Sequence, residues 1–167
     1  EGYVKQGAND NMSGSATILE VARTLHALIE SGRIPRPRRT IRFLWCNEEH
    51  TPWTSVLAPN NMRQRNENLV AIFNTDSLGG KSQQDIDAGV KSNATLYTVD
   101  EGKALADLMT EVNESYALGL RQTVTKRQHP GDDDGSFVKA GYNRAIVNVG
   151  SFPYDDPQYH REGDLAE

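Results

Sequence analysis

The stretch Gly7-Ala8-Asn9-Asp10-Asn11-Met12-Ser13-Gly14 opens directly into an amphipathic helix and places an acidic residue at its start. From residue 12 to residue 31 the apolar residues recur at helical spacing, and Gly32 followed by two prolines ends the pattern. An acid at a helix N-terminus is stabilised by the helix dipole, so Asp10 by itself is explained without any function. Its meaning depends on the acids and the histidine that follow it along the chain.

Short runs of β-branched and aromatic residues alternate with helical patterns over the rest of the chain. These runs predict strands at residues 40–46, 69–73, 95–99, 120–125 and 145–149, and helices at 101–116 and 137–140. Residues 79–94 are rich in Gly, Ser, Gln and Asp, which predicts a surface loop. Strands separated by helices favour an α/β fold with a largely parallel sheet covered on both faces.

Composition narrows the class of protein. A chain of 167 residues fits one domain with a sizeable core. A net charge of −5 argues against a nucleic-acid groove and against an anionic membrane surface, so small molecules or peptides are the expected partners. Cys46 is the only cysteine, which excludes an internal disulfide and a cysteine cage for a metal. No apolar run is long enough to span a bilayer.

Acidic residues follow two of the predicted strands. Glu48 and Glu49 come after the strand at 40–46, and Asp76 comes after the strand at 69–73. Carboxylates and a neutral imidazole hold divalent cations, and a two-metal hydrolytic site needs a bridging carboxylate between ions about 3.5 to 4 Å apart. Neighbouring residues that leave a strand point in different directions, so one glutamate can bind metal while the other acts as a general base.

Four motifs together resemble the dizinc aminopeptidase family, which has glutamate carboxypeptidase-like and glutaminyl cyclase-like relatives. They are Asn9-Asp10-Asn11-Met12-Ser13-Gly14, Glu48-Glu49, Asn74-Thr75-Asp76-Ser77-Leu78-Gly79 and Tyr159-His160. The resemblance covers nearly the whole chain and implies a three-layer α/β/α sandwich with a mixed, mostly parallel sheet. It also implies a zinc-dependent exopeptidase with two zinc ions, most simply an aminopeptidase that releases N-terminal residues from peptides.

The resemblance also implies a role for each matching residue. Asp10 would bridge both ions, Glu49 and His160 would bind one ion, and Asp76 would bind the other. Glu48 would be the general base and acid, and Tyr159 would hydrogen-bond the developing oxyanion.

One departure from the family pattern concerns its fifth ligand, a histidine in a His-x-Asp motif before the position of Asp10. Residues 1–9 contain no histidine. We therefore expect residues 1–167 to be a single peptidase domain that lacks this first strand and the closing helix. One ion would keep Asp10, Glu49 and His160, whereas the second would keep only Asp10 and Asp76, so we expect impaired activity.

Three alternatives stay open at this stage. The chain could be a carboxypeptidase, a glutaminyl cyclase-like enzyme, or a non-catalytic module that keeps the fold. An unligated acid such as Glu48 beside the ligands favours an enzyme. The aspartates 132–134 are predicted to be a solvated charge run at a helix start, although a cation-binding cluster is the other possibility. A secreted or periplasmic location follows from the resemblance alone.

Overall fold

The structure is a computed structural model that describes residues 6–46 and 54–166. Within these ranges one sheet has the strand order β1-β4-β2-β3. Its strands are β1 (Ile72–Thr75), β2 (Ser92–Tyr97), β3 (Arg121–Lys126) and β4 (Ala145–Val149). The β1–β4 and β2–β3 pairs are parallel, and the β2–β4 pair is antiparallel. The predicted mixed, mostly parallel sheet is therefore confirmed.

Helices cover both faces of this sheet. They are α1 (Gly14–Glu30), α2 (Thr54–Gln64), α3 (Gln83–Asp87), α4 (Lys103–Ser115) and α5 (Asp132–Lys139), with an irregular turn at Ala8–Ser13 and a 3-10 turn at Asp100–Gly102. Side chains alternate between the faces of a strand, so Ile72 and Thr75 point to opposite sides. Ile72 packs with α2 and α5, whereas Thr75 hydrogen-bonds the first residue of α1. The predicted α/β/α layering is confirmed.

The core lies along β4, the second strand of the order, where every residue is buried. Val147 and Val149 pack with residues of β2 on one face, and Ile146 packs with Leu105 of α4 on the other. A strand enclosed on both faces needs a nearly continuous apolar run, which is why residues 145–149 were predicted with the correct bounds.

The predicted strand at residues 40–46 is wrong in the described structure. Residues 41–46 have no regular secondary structure, and Ile41 and Trp45 are 49% and 47% exposed. The indole Nε1 of Trp45 donates to the carbonyl of Ser15 in α1 (3.3 Å), and Arg42 pairs with Glu67 (2.9 Å). β-Propensity describes how well a side chain fits a pleated surface, and without a neighbouring strand it does not produce one.

Two further elements differ from expectation. Helix α2 was not predicted, because Pro59 and two asparagines interrupt its pattern, yet Ala58 and Met62 lie four residues apart and pack with Phe137 of α5. The predicted loop at 79–94 contains α3, which begins after Ser82 with the Ser82 hydroxyl accepting from the Asp85 amide (3.1 Å). In the described part of the chain, no helix is long and apolar enough to cross a membrane.

Candidate metal centre

Asp10 lies in the irregular turn Ala8–Ser13, directly before α1. Its backbone, with φ −110° and ψ 91°, is not helical, so the regular helix begins only after it. The side chain is 24% exposed, which keeps the carboxylate partly open to solvent. Asp10 therefore lies at a helix start, as the sequence predicts, but in a turn that is not itself helical.

His160 lies beside Asp10 although the two are far apart in sequence. Nε2 of His160 is 3.1 Å from Oδ2 of Asp10. Two ligands about 2.1 Å from one tetrahedral zinc are roughly 3.4 Å apart, so this spacing and these donor types suit a shared ion. His160 also has a left-handed backbone, with φ 59°. A residue other than glycine keeps such a conformation only where its surroundings hold it, and it costs about 1–3 kcal/mol.

Aromatic rings hold the segment that carries His160. The ring of Tyr159 stacks on the His160 imidazole with centroids 4.0 Å apart and on Tyr154 with centroids 4.8 Å apart. Tyr154 in turn packs against the buried cluster that contains Leu96 and Val147. The stack therefore connects the imidazole to the sheet core, and it restricts the plane in which Nε2 can point.

Asp76 follows β1 immediately and is only 8% exposed. Its backbone amide donates to the carbonyl of Asn148 at the end of β4 (3.0 Å), which continues the parallel ladder. The position is the carboxyl end of a parallel strand, where α/β proteins present functional residues.

Asn11 links the Asp10 turn to the Asp76 position. Its Nδ2 donates to the carbonyl of Thr75 (3.0 Å), and its Oδ1 accepts from the amides of Ser77 (3.3 Å) and Gly14 (2.9 Å). Thr75 and Ser77 flank Asp76 on either side. The structure thus brings the predicted ligands Asp10 and Asp76 onto adjoining segments.

Glu48 and Glu49 lie outside the described residues, so their predicted roles stay predictions. Described residues on both sides of this segment, Cys46 and Ser55, lie close to α5. The hydroxyl of Ser55 lies 3.1 Å from that of Ser136 in α5. Burial, together with the neighbouring carboxylate of Asp133, raises the pKa of the Cys46 thiol to about 11. Both flanks therefore contact α5, and Cys46 is an unreactive thiol.

The predicted ligand set is assembled in part. Among residues 6–46 and 54–166, no three His, Cys, Asp or Glu side chains form a complete group for a metal ion. Asp10 and His160 are in contact, and Asp76 lies on the adjoining segment. The fourth predicted ligand, Glu49, lies outside these ranges. Zinc fits the donors that are present, because an imidazole nitrogen and a carboxylate oxygen are two of its usual ligand types.

Sequence reasoning missed Asp164. Its carboxylate accepts from the backbone amides of Asn9 (2.6 Å) and Asp10 (2.9 Å), and the residue is 7% exposed. Its spacing of four residues from His160 was the available signal, but a single acid in a polar stretch normally indicates a turn.

The aspartate run at the start of α5 is not a solvated charge run. Asp134 is fully buried and forms a salt bridge with Arg127, whose side chain is 9% exposed. Burial raises the pKa of Asp134 to about 7, and the Arg127 guanidinium offsets only part of this effect. Asp132 accepts instead from the side-chain amide of Asn74 in β1 (2.5 Å). The three aspartates do lie at a helix start, but α5 begins at Asp132 and not at residue 137 as predicted, and the acids are structural partners of the sheet.

A model of Peptidase family M28 matches residues 2–167. The chain belongs to this family, which confirms the resemblance to the dizinc aminopeptidases. Zinc dependence is general in the family.

Individual relatives agree with this assignment. The chain is 30% identical over 161 residues to Leucine aminopeptidase 1 of Fusarium vanettenii, covering 95% of this chain and 40% of the relative. It is 31% identical over 166 residues to Leucine aminopeptidase 1 of Penicillium rubens, covering 96% and 41%. The fold also matches the crystal structure of LapA from Legionella, with a TM-score of 0.72 at 19% identity, over 95% of this chain and 41% of LapA. The chain thus spans about two-fifths of the length of these proteins.

Proposed function

We propose that this chain carries the metal centre of a zinc-dependent aminopeptidase. The observation that supports the proposal most strongly is the 3.1 Å contact between Asp10 and His160. Two residues that are distant in sequence are in contact, and they supply an imidazole nitrogen and a carboxylate oxygen, which are donor types found in catalytic zinc sites. Membership of Peptidase family M28 supports peptide hydrolysis as the reaction at such a site. The relatives named leucine aminopeptidase support an apolar N-terminal residue as the first substrate to test.

The four ligands divide between two ions. Asp10, Glu49 and His160 would hold one zinc, and Asp10 and Asp76 would hold the second. Zinc supplies a Lewis acid that lowers the pKa of water and polarises a carbonyl. Asp10 is suited to a shared role because the Asn11 side chain joins its turn to the residues that flank Asp76.

The remaining residues move protons and stabilise charge. Glu48 would accept a proton from the attacking water and return it to the leaving amine. Tyr159 would donate a hydrogen bond to the carbonyl oxygen of the scissile bond as negative charge develops there. The stacking of Tyr159 on His160 supports this role, because it keeps the phenol beside a metal ligand.

Peptides are the proposed substrates, and residues 1–167 form one peptidase domain in this proposal. A secreted or periplasmic location is proposed from the family resemblance alone.

A pair of matched substitutions tests the assignment. Glu48→Gln should leave zinc affinity near that of the unchanged protein, while hydrolysis of leucine p-nitroanilide by the full-length protein that carries these residues should fall by a factor of about 100 or more. Glu49→Gln should weaken zinc binding itself. Hydrolysis by the unchanged protein should stop when 1,10-phenanthroline removes the metal. Loss of zinc from Glu48→Gln with retention by Glu49→Gln would reverse the two roles, and chelator-resistant hydrolysis would exclude the metal mechanism.

A further inference from the structure

Asp164 is a buried carboxylate whose two oxygens both serve the Asp10 turn. Oδ1 accepts from the backbone amide of Asn9 (2.6 Å), and Oδ2 accepts from the backbone amide of Asp10 (2.9 Å). The residue is 7% exposed. Hydrogen bonds between an ionised carboxylate and backbone amides are short and roughly twice as strong as neutral ones. This carboxylate therefore fixes where the backbone of Asp10 lies.

The same residue belongs to the segment that carries His160. Its amide nitrogen lies 3.3 Å from the carbonyl of Arg161, which closes a turn directly after His160. Its own carbonyl is 3.4 Å from the amide of Ala8. Asp164 consequently joins the two segments that supply the Asp10–His160 pair, through its backbone on one side and its carboxylate on the other.

Charge alone does not explain this arrangement. The exposed Asp155 lies in the same C-terminal segment, but among the described residues its side chain forms no hydrogen bond or ion pair with the Asp10 turn. In Asp164, by contrast, both acceptor atoms are used by consecutive backbone amides. A group that hydrogen-bonds to a metal-ligating residue without touching the metal orients that ligand and contributes to metal affinity.

We propose that Asp164 is a positioning residue that holds the Asp10 carboxylate against the His160 imidazole, so that both bind one metal ion. The inference rests on the proposed metal centre and goes beyond it, because it assigns a function to a residue that would touch no metal or substrate. If Asp164 were only structural, its substitution would lower the free energy of unfolding and leave the zinc affinity of the folded protein unchanged. If it is a positioning residue, its substitution lowers the zinc affinity of protein that is still folded.

The test measures zinc affinity by competition with a chromophoric chelator, on protein whose folding is checked by far-ultraviolet circular dichroism. Asp164→Asn should bind zinc about 10- to 100-fold more weakly than the unchanged protein, because the amide can accept from one backbone N–H but not from both. Asp155→Asn, which removes the same charge from an exposed site nearby, should bind within about twofold of the unchanged protein.

A double substitution separates positioning from other effects. In an Asp10→Ala background, Asp164→Asn should weaken zinc binding no further, because the residue through which it acts is gone. Folded Asp164→Asn with unchanged zinc affinity would overturn the inference, and so would an undiminished effect in the Asp10→Ala background. If Asp164→Asn does not fold, Asp164→Ser is measured instead, with the same loss expected and unchanged affinity again contradicting the inference. Failure of the unchanged protein to bind zinc would refute the metal centre itself, and this inference with it.

Discussion

Nε2 of His160 lies 3.1 Å from Oδ2 of Asp10, although one residue precedes the first regular helix and the other follows the last strand. The segment that carries His160 packs on the buried sheet cluster through Tyr154, whose ring stacks on Tyr159. Local backbone geometry agrees, since His160 keeps a left-handed conformation, with φ 59°. Metal binding should therefore depend on packing at some distance from the ligands.

Tyr154 provides one test of that dependence. Tyr154→Ala removes the ring between the Tyr159–His160 stack and the core cluster, so the imidazole loses its support. An aromatic pair contributes about 0.5–1.5 kcal/mol beyond burial, so the free energy of unfolding should fall by at least that amount. Zinc affinity should fall as well. Tyr154→Phe keeps the ring and is the matched control, and equal zinc affinities for the Ala and Phe variants would show that the stack does not orient His160.

Gly14 tests the contact between α1 and the end of β1. A Cβ at this position would lie 2.3 Å from Oδ1 of Asn11 and 2.3 Å from the carbonyl oxygen of Thr75. Backbone atoms cannot move away cheaply, so Gly14→Ala should destabilise the protein by about 1–3 kcal/mol in urea unfolding. Ala16→Ser, at an exposed position of the same helix, should change stability by less than about 0.5 kcal/mol. Equal midpoints for both variants would mean that α1 packs more loosely than the structure shows.

The buried Asp134 should make stability depend on pH. Burial raises its pKa from 3.8 to about 7, so the folded protein holds this proton more tightly than the unfolded chain does. Between these two values the folded state binds more protons, and its contribution to stability is therefore lost as pH rises from about 4 to about 7.

Asp134→Asn does not titrate and isolates this contribution. Between pH 4 and pH 7 the free energy of unfolding of Asp134→Asn should increase by about 4 kcal/mol relative to that of the unchanged protein, measured by urea denaturation without metal. Asp87→Asn removes a carboxylate from an exposed position in α3 and is the matched control. A flat difference for Asp134→Asn would show that Arg127 holds the carboxylate ionised throughout.

Elements with a strong local pattern could be predicted from the sequence. The run at 145–149 is buried on both faces and so is continuously apolar, and α4 has a clear helical period close to its observed bounds. Residues 40–46 have similar β-branched and aromatic content but no strand. Whether such a run forms a strand depends on a neighbouring strand, and this is a tertiary property that no local pattern contains.

In the candidate site, too, some residues could be predicted from the sequence and others depend on tertiary contacts. Asp10, Asp76 and His160 could be predicted as ligands because four motifs appear in the order and spacing of a known family. Asp164 could not be predicted, because its proposed role depends on two backbone amides that are distant in sequence. Asp134 was misjudged for a related reason, since its burial against Arg127 depends on how α5 packs on the sheet.

The most direct measurement is an anomalous difference map at the zinc absorption edge, from crystals of the protein grown with zinc. The account predicts a peak about 2.0–2.2 Å from both Oδ2 of Asp10 and Nε2 of His160, with a carboxylate oxygen of Glu49 completing the protein ligands. The His160→Ala protein should lack this peak, whereas His26→Ala, altered at an exposed position of α1, should keep it. A zinc peak elsewhere in the unchanged protein, or a peak at this position that His160→Ala retains at full height, would contradict the account.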